Sequence, residues 1–273
     1  MDFGYVQVGT MPIVALALVL VLVISVMMLL GSSSGGMRAG SSWLKGIGKG
    51  GTKDTIVLAG PSGSGKTTLF FRFTQHRFIE TCTSMQENTA KLILDSTTPN
   101  EKPVQLVDIP GHVRLRFKLD EFLPRAKGIL FMVDASQLRK EETLRVTAEY
   151  MYDLLTDPVT VSNALPVHVV CGKSDVLLAL SPTLVQTMLE QEIHELRKAK
   201  SAGIAGQTED DEERTYLGYE GEPFRFEHIE NQVTFGSMSS KHKTHANGGD
   251  LDSPHETDSS ADMRLVVDRI LEW

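Results

Sequence analysis

The stretch Thr55-Ile56-Val57-Leu58-Ala59-Gly60-Pro61-Ser62-Gly63-Ser64-Gly65-Lys66-Thr67-Thr68 decides how the rest of this chain folds. It runs from an apolar, β-type segment through a glycine-rich turn into a helix start, and residues 60–67 match the P-loop motif G-x-x-x-x-G-K-[ST]. The glycines let successive backbone N–H groups point at one small volume, which together with the positive end of the following helix favours a polyphosphate. The stretch therefore predicts a nucleoside triphosphate site.

The side chains of the P-loop have separate expected roles in that site. Lys66 is predicted to reach the β- and γ-phosphates, and the Thr67 hydroxyl is predicted to coordinate Mg²⁺. The other predicted nucleotide contacts in this stretch are Gly60, Ser62, Gly63, Ser64, Gly65 and Thr68. The site would therefore hold a nucleotide together with its magnesium ion.

Apolar runs and helical patterns alternate along the rest of the chain. The short apolar runs predict strands at about 54–60, 89–95, 103–109, 128–134, 166–171 and 232–236. Between these runs, helices are predicted at about 66–76, 113–124, 140–155, 182–200 and 261–272. Because several strands are apolar on both faces, we expect a mostly parallel, doubly wound α/β sheet with its ligand at the carboxyl ends of the strands.

The N-terminal segment predicts a membrane anchor. Residues 11–30 are almost wholly apolar and would extend about 30 Å as a helix, enough for one bilayer crossing. A cleaved signal peptide is disfavoured, because acidic Asp2 precedes the segment instead of a positively charged region. The basic residues that follow favour a cytosolic C-terminal side: Arg38, Lys45, Lys49 and Lys53. We therefore predict a lumenal N-terminus (1–10), one transmembrane helix (11–30), a flexible linker (31–51) and a cytosolic domain (52–273).

Composition narrows the possible partners of that domain. The net charge is −8 and the folded part has no basic stripe, which argues against direct nucleic-acid binding. The only two cysteines, Cys82 and Cys171, suggest neither a disulfide nor a metal site. Residues 201–222 and 241–260 are polar insertions, predicted to be solvated loops.

A second motif follows the predicted strand at 103–109. Asp108-Ile109-Pro110-Gly111 matches D-x-x-G, in which the Asp108 carboxylate would hold Mg²⁺ through water and the Gly111 N–H would meet a γ-phosphate. His112 comes next, where a side chain could orient an attacking water as a catalytic residue. The alternative for His112 is a polar residue that starts a helix. Both possibilities remain open from the sequence.

A polar loop between these two motifs offers a further magnesium ligand. The loop Glu80-Thr81-Cys82-Thr83-Ser84-Met85 lies about sixteen positions after Thr67, near the place where GTPases put a threonine on Mg²⁺ and the γ-phosphate. Thr83 is the predicted residue for both contacts. Thr81 remains the alternative.

A third motif predicts which base is bound. Gly172-Lys173-Ser174-Asp175 resembles the guanine motif N-K-x-D with glycine in place of asparagine. Asp175 can accept hydrogen bonds from the guanine N1–H and exocyclic amine, and the Lys173 stem can cover one face of the ring. Ser237, in Gly236-Ser237-Met238, falls where the last guanine-binding loop would lie. The chain is therefore expected to bind GTP and GDP with Mg²⁺.

In this order, the motifs resemble those of the Arf and Sar branch of the Ras-superfamily GTPases. With the N-terminal span, the segment from Asp108 to Arg116, the Phe131–Ala135 strand end and the long insertion before the last strand, the chain resembles the β-subunit family of the signal recognition particle receptor. The resemblance implies a P-loop GTPase fold anchored in the endoplasmic reticulum membrane. It also implies binding to the receptor α subunit, and an indirect link to ribosomes and the translocon.

Other functions compete with this interpretation. One is an Arf- or Sar-type GTPase of vesicle traffic, although those proteins attach reversibly and the span here is uninterrupted. Another is an ATP-driven transporter subunit with Asp134 as the second acid, but an L-S-G-G-Q signature is missing. A third is a docking module whose GTP is a structural ligand, so the sequence leaves the rate of GTP hydrolysis undecided. Residues 78–89 and 109–117 are expected to form an order–disorder switch that the α subunit recognises.

Overall fold

The computed structural model describes residues 53–94, 102–204, 216–240 and 258–273, without the side chains of 201–204 and 258–261. The predicted lumenal segment, transmembrane helix and linker, residues 1–51, lie outside these ranges, as does most of the insertion at 241–260. No helix within the described ranges has the length and apolar character needed to cross a bilayer.

The described chain is built on one mixed sheet. Its strands are β1 (Thr55–Ala59), β2 (Asn88–Leu92), β3 (Val104–Asp108), β4 (Ala126–Asp134), β5 (Val167–Gly172) and β6 (Val233–Ser237). They are ordered β2-β3-β1-β4-β5-β6. The edge strand β2 is antiparallel to β3, and all other neighbours are parallel. The predicted α/β fold with a mostly parallel sheet is therefore confirmed.

Helices connect the strands and cover both sheet faces. They are α1 (Lys66–Gln75), α2 (Leu119–Phe122), α3 (Glu141–Leu155), α4 (Pro158–Ser162), α5 (Pro182–Ile204) and α6 (Asp258–Leu271). Along β4, Phe131 and Val133 pack in one core with residues of α3 and α5, while Leu130 and Met132 pack in another with residues of α1 and α6. With both faces covered, a ligand has access to the loops at the carboxyl ends of the strands.

One predicted helix is wrong. Residues 113–124 were expected to form a single helix, but a 3-10 helix at Val113–Lys118 precedes the short α2, and a second 3-10 turn at Leu123–Arg125 follows it. In Val113–Lys118 the apolar residues alternate with basic ones, so they cannot share one face of an α-helix. None of the side chains of this segment is fully buried.

The end of the first polar insertion is folded, which differs from the expected solvated loop. Arg197 on α5 is 2% exposed. Its guanidinium donates hydrogen bonds to the carbonyls of Leu217 and Tyr219, both at 3.0 Å, and to the carbonyl of Glu222. Since a buried guanidinium needs several acceptors, this part of the chain is fixed against α5.

Candidate nucleotide-binding site

The P-loop joins β1 to α1 and holds its lysine inside the turn. Lys66 is 5% exposed, and its ammonium donates to the Pro61 carbonyl at 2.7 Å and to the Ser64 hydroxyl at 3.4 Å. Burial lowers the pKa of Lys66 to about 8, against the attraction of Asp108. The positive charge therefore lies where an anion held by the turn would meet it.

A cavity of about 380 Å³ opens over this loop. Its lining combines the P-loop with the loop at 78–84 and with residues 109–111. Of the predicted site residues, it is lined by Ser62, Gly63, Gly65, Lys66, Thr67, Thr68, Thr83, Gly111 and Lys173. The lining does not include Gly60, Ser64, Asp108, His112, Asp175 or Ser237. The two switch segments predicted from the sequence thus meet the P-loop at one cavity.

Asp108 connects the D-x-x-G motif to the P-loop. Its Oδ2 accepts hydrogen bonds from the Thr67 hydroxyl at 2.7 Å and from the Asn88 amide at 3.0 Å. Its Oδ1 is buried without a hydrogen-bond partner among the described residues. Burial raises the pKa of this carboxyl, while Thr67 and Asn88 act in the opposite direction. An unpartnered carboxylate oxygen beside a hydroxyl suits a hydrated Mg²⁺, which prefers oxygen ligands and keeps several waters.

The loop at 80–85 approaches the P-loop through more than one hydroxyl. The hydroxyl oxygens of Ser84 and Thr67 lie 2.9 Å apart, and those of Thr81 and Thr68 lie 3.0 Å apart. Thr83 lines the cavity between them. The sequence does not predict Ser84, because the residue that GTPases place here on Mg²⁺ and the γ-phosphate is a threonine.

Gly111 and His112 lie differently with respect to the cavity. A Cβ on Gly111 would be 2.5 Å from the Ser62 nitrogen and 2.6 Å from the Lys66 ammonium, so this position requires glycine. The His112 Nδ1 accepts a hydrogen bond from the Arg114 N–H at 3.2 Å and caps the 3-10 helix. The structure thus places His112 in the role of a residue that starts a helix.

A second cavity of about 280 Å³ adjoins the first. Four residues line both cavities: Gly65, Thr68, Phe78 and Lys173. Asp175 lines only the second, together with apolar Met132 and Val176. The cavity over the P-loop therefore adjoins a largely apolar one that contains a carboxylate, a combination that suits the phosphates and the base of one nucleotide.

The loops after β5 and β6 form the wall of the second cavity. Asp175 Oδ1 accepts a hydrogen bond from the Ser239 hydroxyl at 2.8 Å, and Ser240 lines the cavity. Ser237, the predicted contact, is exposed and lies outside this lining. Ser239 and Ser240 were missed because no sequence motif marks the end of β6.

Lys173 and Asp134 form an ion pair across the ends of β4 and β5. The Lys173 ammonium lies 2.5 Å from Asp134 Oδ2, and the Lys173 backbone has a φ of 60°. The carboxylate bonded to Thr67 is that of Asp108. The structure therefore gives no support to Asp134 as a metal-binding acid of an ATP-driven transporter.

Comparisons with known proteins agree with this geometry. A family model described as "Signal recognition particle receptor beta subunit" matches residues 51–233. The signal recognition particle receptor β subunit of Mus musculus is 31% identical over 187 residues, covering 68% of this chain and 68% of that protein.

Solved structures lead to the same family. The mammalian signal recognition particle receptor is similar with a TM-score of 0.59 and 29% identity, covering 68% of this chain and 91% of that chain. The Chaetomium thermophilum receptor protein SRb with GDP and Mg is similar with a TM-score of 0.54 and 25% identity, covering 80% of this chain and 98% of that chain. The chain therefore belongs to the family of signal recognition particle receptor β subunits.

Proposed function

We propose that this protein is the membrane-anchored, GTP-binding subunit of the signal recognition particle receptor, and that it recruits the receptor α subunit to the endoplasmic reticulum in a GTP-dependent way. The observation that carries the proposal is the pair of adjoining cavities. One is built on the P-loop and the other contains Asp175. Membership of the family supports the assignment to this receptor and to the α subunit as the partner.

Selection of guanine rests on Asp175. Its carboxylate can accept from the N1–H and the exocyclic amine of guanine, whereas adenine offers no such pair of donors to it. Ser239 holds one of its oxygens, and Phe78, which lines both cavities, offers an aromatic face or edge to the nucleoside. The expected ligands are GTP and GDP.

Magnesium would be held by the hydroxyl of Thr67 and, through water, by Asp108. The unpartnered Oδ1 of Asp108 supports this assignment. A further hydroxyl would come from the loop that contains Thr83 and Ser84. When bound, the ion neutralises charge between the β- and γ-phosphates.

Recruitment of the α subunit would use the two segments that border the first cavity. Met85 on one segment, and Val113 and Phe117 on the other, are 63–69% exposed. Exposed apolar side chains of this size suit a protein interface. Lys118 and Glu87 form an ion pair that links the two segments. A partner bound here would therefore be sensitive to the nucleotide beneath.

Slow turnover is the second part of the proposal. His112 caps a 3-10 helix through its Nδ1 and does not line the cavity, which supports a role other than orienting a water at the γ-phosphate. This favours a docking module with slow GTP hydrolysis over a rapidly cycling enzyme. Single-turnover hydrolysis with and without the α subunit would separate the two.

The membrane part of the proposal rests on residues 11–30, whose sequence suits one bilayer crossing. In that arrangement the domain faces the cytosol, and contact with ribosomes and the translocon is indirect, through the α subunit. Protease added to sealed microsomes would then digest the domain and leave only a short protected fragment. Full protection would mean the opposite orientation.

Binding of the α subunit provides the main test. The detergent-extracted full chain is titrated with the α subunit in GTP and in GDP, and we expect tighter binding in GTP by roughly thirtyfold or more, since two γ-phosphate contacts contribute about 1–2 kcal/mol each. Lys66→Ala should abolish this difference, whereas Lys140→Ala, at an exposed site outside both cavities, should preserve it. Equal affinities in GTP and GDP for the unmodified chain would refute GTP-dependent recruitment.

A further inference from the structure

Met132 on β4 lies against both ends of the P-loop and against the base loop, defined here as residues 172–176. A Cβ on Gly60 would be 2.2 Å from the Met132 carbonyl oxygen. A Cβ on Gly172 would be 3.4 Å, and one on Gly65 3.9 Å, from the Met132 terminal methyl. The main chain of Met132 therefore backs the start of the P-loop, and its side chain lies between the end of the P-loop and the base loop.

Gly172 occupies the position where the N-K-x-D motif has asparagine. Its surroundings are already filled, because a Cβ here would also be 3.3 Å from the Ser64 carbonyl oxygen and 3.4 Å from that of Val133. The P-loop and the base loop thus approach each other closely with no side chain on Gly172. The Met132 methyl lies close to Gly172, at the place where an asparagine side chain could make amide hydrogen bonds between the two loops.

We infer that Met132 is a positioning residue for base selection. This inference rests on the proposed binding of guanine nucleotides. Met132 is 1% exposed and belongs to the core beside α1 and α6, so a purely structural role is the alternative. Two observations distinguish it from other core residues: it lines the cavity that contains Asp175, and its terminal methyl lies close to Gly65 of the P-loop and to Gly172 of the base loop.

The two roles predict different effects on nucleotide selectivity. Inosine lacks the exocyclic amine of guanine, so the ratio of the dissociation constants for ITP and GTP measures how well Asp175 is placed. In the wild type this ratio should be about tenfold, the value of one charge-assisted hydrogen bond. If Met132 only stabilises the fold, its loss weakens both nucleotides equally. If it positions the base loop, the ratio itself falls.

The experiment measures GTP and ITP binding by calorimetry on the full chain, with thermal unfolding followed in parallel. Met132→Ala should lower the ITP:GTP ratio to about twofold, because one hydrogen bond is then misplaced. The matched control is Leu130→Ala, on the same strand and in the same core but outside both cavities, which should lower stability and leave the ratio unchanged. Met132→Leu, which conserves volume, should retain the ratio.

A second variant tests the contact from the other side. Gly172→Asn in the wild-type background should lower the ratio, because its side chain competes with the Met132 methyl for space. Adding Met132→Ala to Gly172→Asn should restore it in part, because the methyl contact is removed while those with the Ser64 and Val133 carbonyl oxygens remain. If Met132→Ala does not fold, the ITP:GTP ratio is measured on Met132→Val and Gly172→Ala instead.

Each outcome has a distinct meaning. A ratio that stays at the wild-type value in Met132→Ala, with stability reduced as in Leu130→Ala, overturns the positioning role. A wild-type chain that binds neither GTP nor ITP overturns the proposed function itself.

Discussion

The Ser239 hydroxyl donates a 2.8 Å hydrogen bond to Asp175 Oδ1. The same two loops are joined by backbone bonds, from the Met238 N–H to the Cys171 carbonyl at 2.9 Å and from the Ser174 N–H to the Met238 carbonyl at 3.3 Å. The loop after β6 therefore fixes the loop after β5, and the carboxylate proposed to select guanine depends on a neighbouring strand for its orientation.

Removing the Ser239 hydroxyl should weaken GTP binding. Ser239→Ala leaves Asp175 without this donor, and we expect a loss of about fivefold, corresponding to about 1 kcal/mol for one hydrogen bond. Calorimetric titration is the measurement. The control is Ser237→Ala, at the exposed position that the sequence favoured, and it should change little. A larger loss in Ser237→Ala than in Ser239→Ala would contradict this assignment.

Changing the Asp175 carboxylate to an amide should alter base preference. Asp175→Asn is expected to weaken GTP by about ten- to a hundredfold, since a charge-assisted hydrogen bond contributes about 1.5–3 kcal/mol. The same variant should improve binding of xanthosine triphosphate, whose C2 oxygen accepts from an amide. Competition against labelled GDP measures both. Undiminished GTP binding in this variant would remove Asp175 from the base site.

The increase in GTP affinity on adding Mg²⁺ should depend on the Thr67 hydroxyl. In Thr67→Ala the hydroxyl bonded to Asp108 is lost, so the gain in GTP affinity on adding Mg²⁺ should shrink by about tenfold. With a chelator present, the variant and the wild type should bind GTP alike. Thr74→Ala is the matched control, because its hydroxyl lies on the same helix but donates to the Phe70 carbonyl outside both cavities. An unchanged magnesium response in Thr67→Ala would exclude it as a ligand.

Lowering the pH should destabilise the domain, because His168 takes up a proton more readily in the unfolded chain than in the folded one. Burial lowers the pKa of His168 from 6.5 to about 4. The positive charge of Arg269 acts in the same direction, and the negative charge of Glu272 acts against it. Between these two pH values the unfolded chain binds a proton that the folded chain does not. The free energy of unfolding is therefore fully retained above pH 6.5 and falls as pH drops towards 4, by about 1 kcal/mol per unit.

Denaturant unfolding across that pH range tests the His168 prediction. His168→Gln should flatten the slope while keeping a hydrogen-bonding partner for the Thr234 hydroxyl, which lies 2.8 Å from Nδ1. His76→Gln, at an exposed site, should leave the slope as in the wild type. Equal slopes for wild type and His168→Gln would show that another group is responsible.

Local chemistry explains which features were predictable from the sequence. The P-loop and the apolar strands were predictable because each requires particular residues in consecutive positions. The helix expected at 113–124 was not, since its first half alternates apolar and basic residues and forms a 3-10 helix. Ser239 and Met132 were also missed, because their roles arise where separate strands come together and no consecutive pattern records that proximity.

The ion pair between Glu87 and Lys118 has a consequence for the thermodynamics of recognition. It connects two loops that would otherwise each lose conformational entropy independently when they become ordered. Because the ion pair links them, ordering one loop also restricts the other. The entropic cost of then ordering the second loop is smaller. A γ-phosphate contact with either loop would therefore make the surface formed by both more favourable to a partner, and occupancy of the site would be transmitted as one cooperative event.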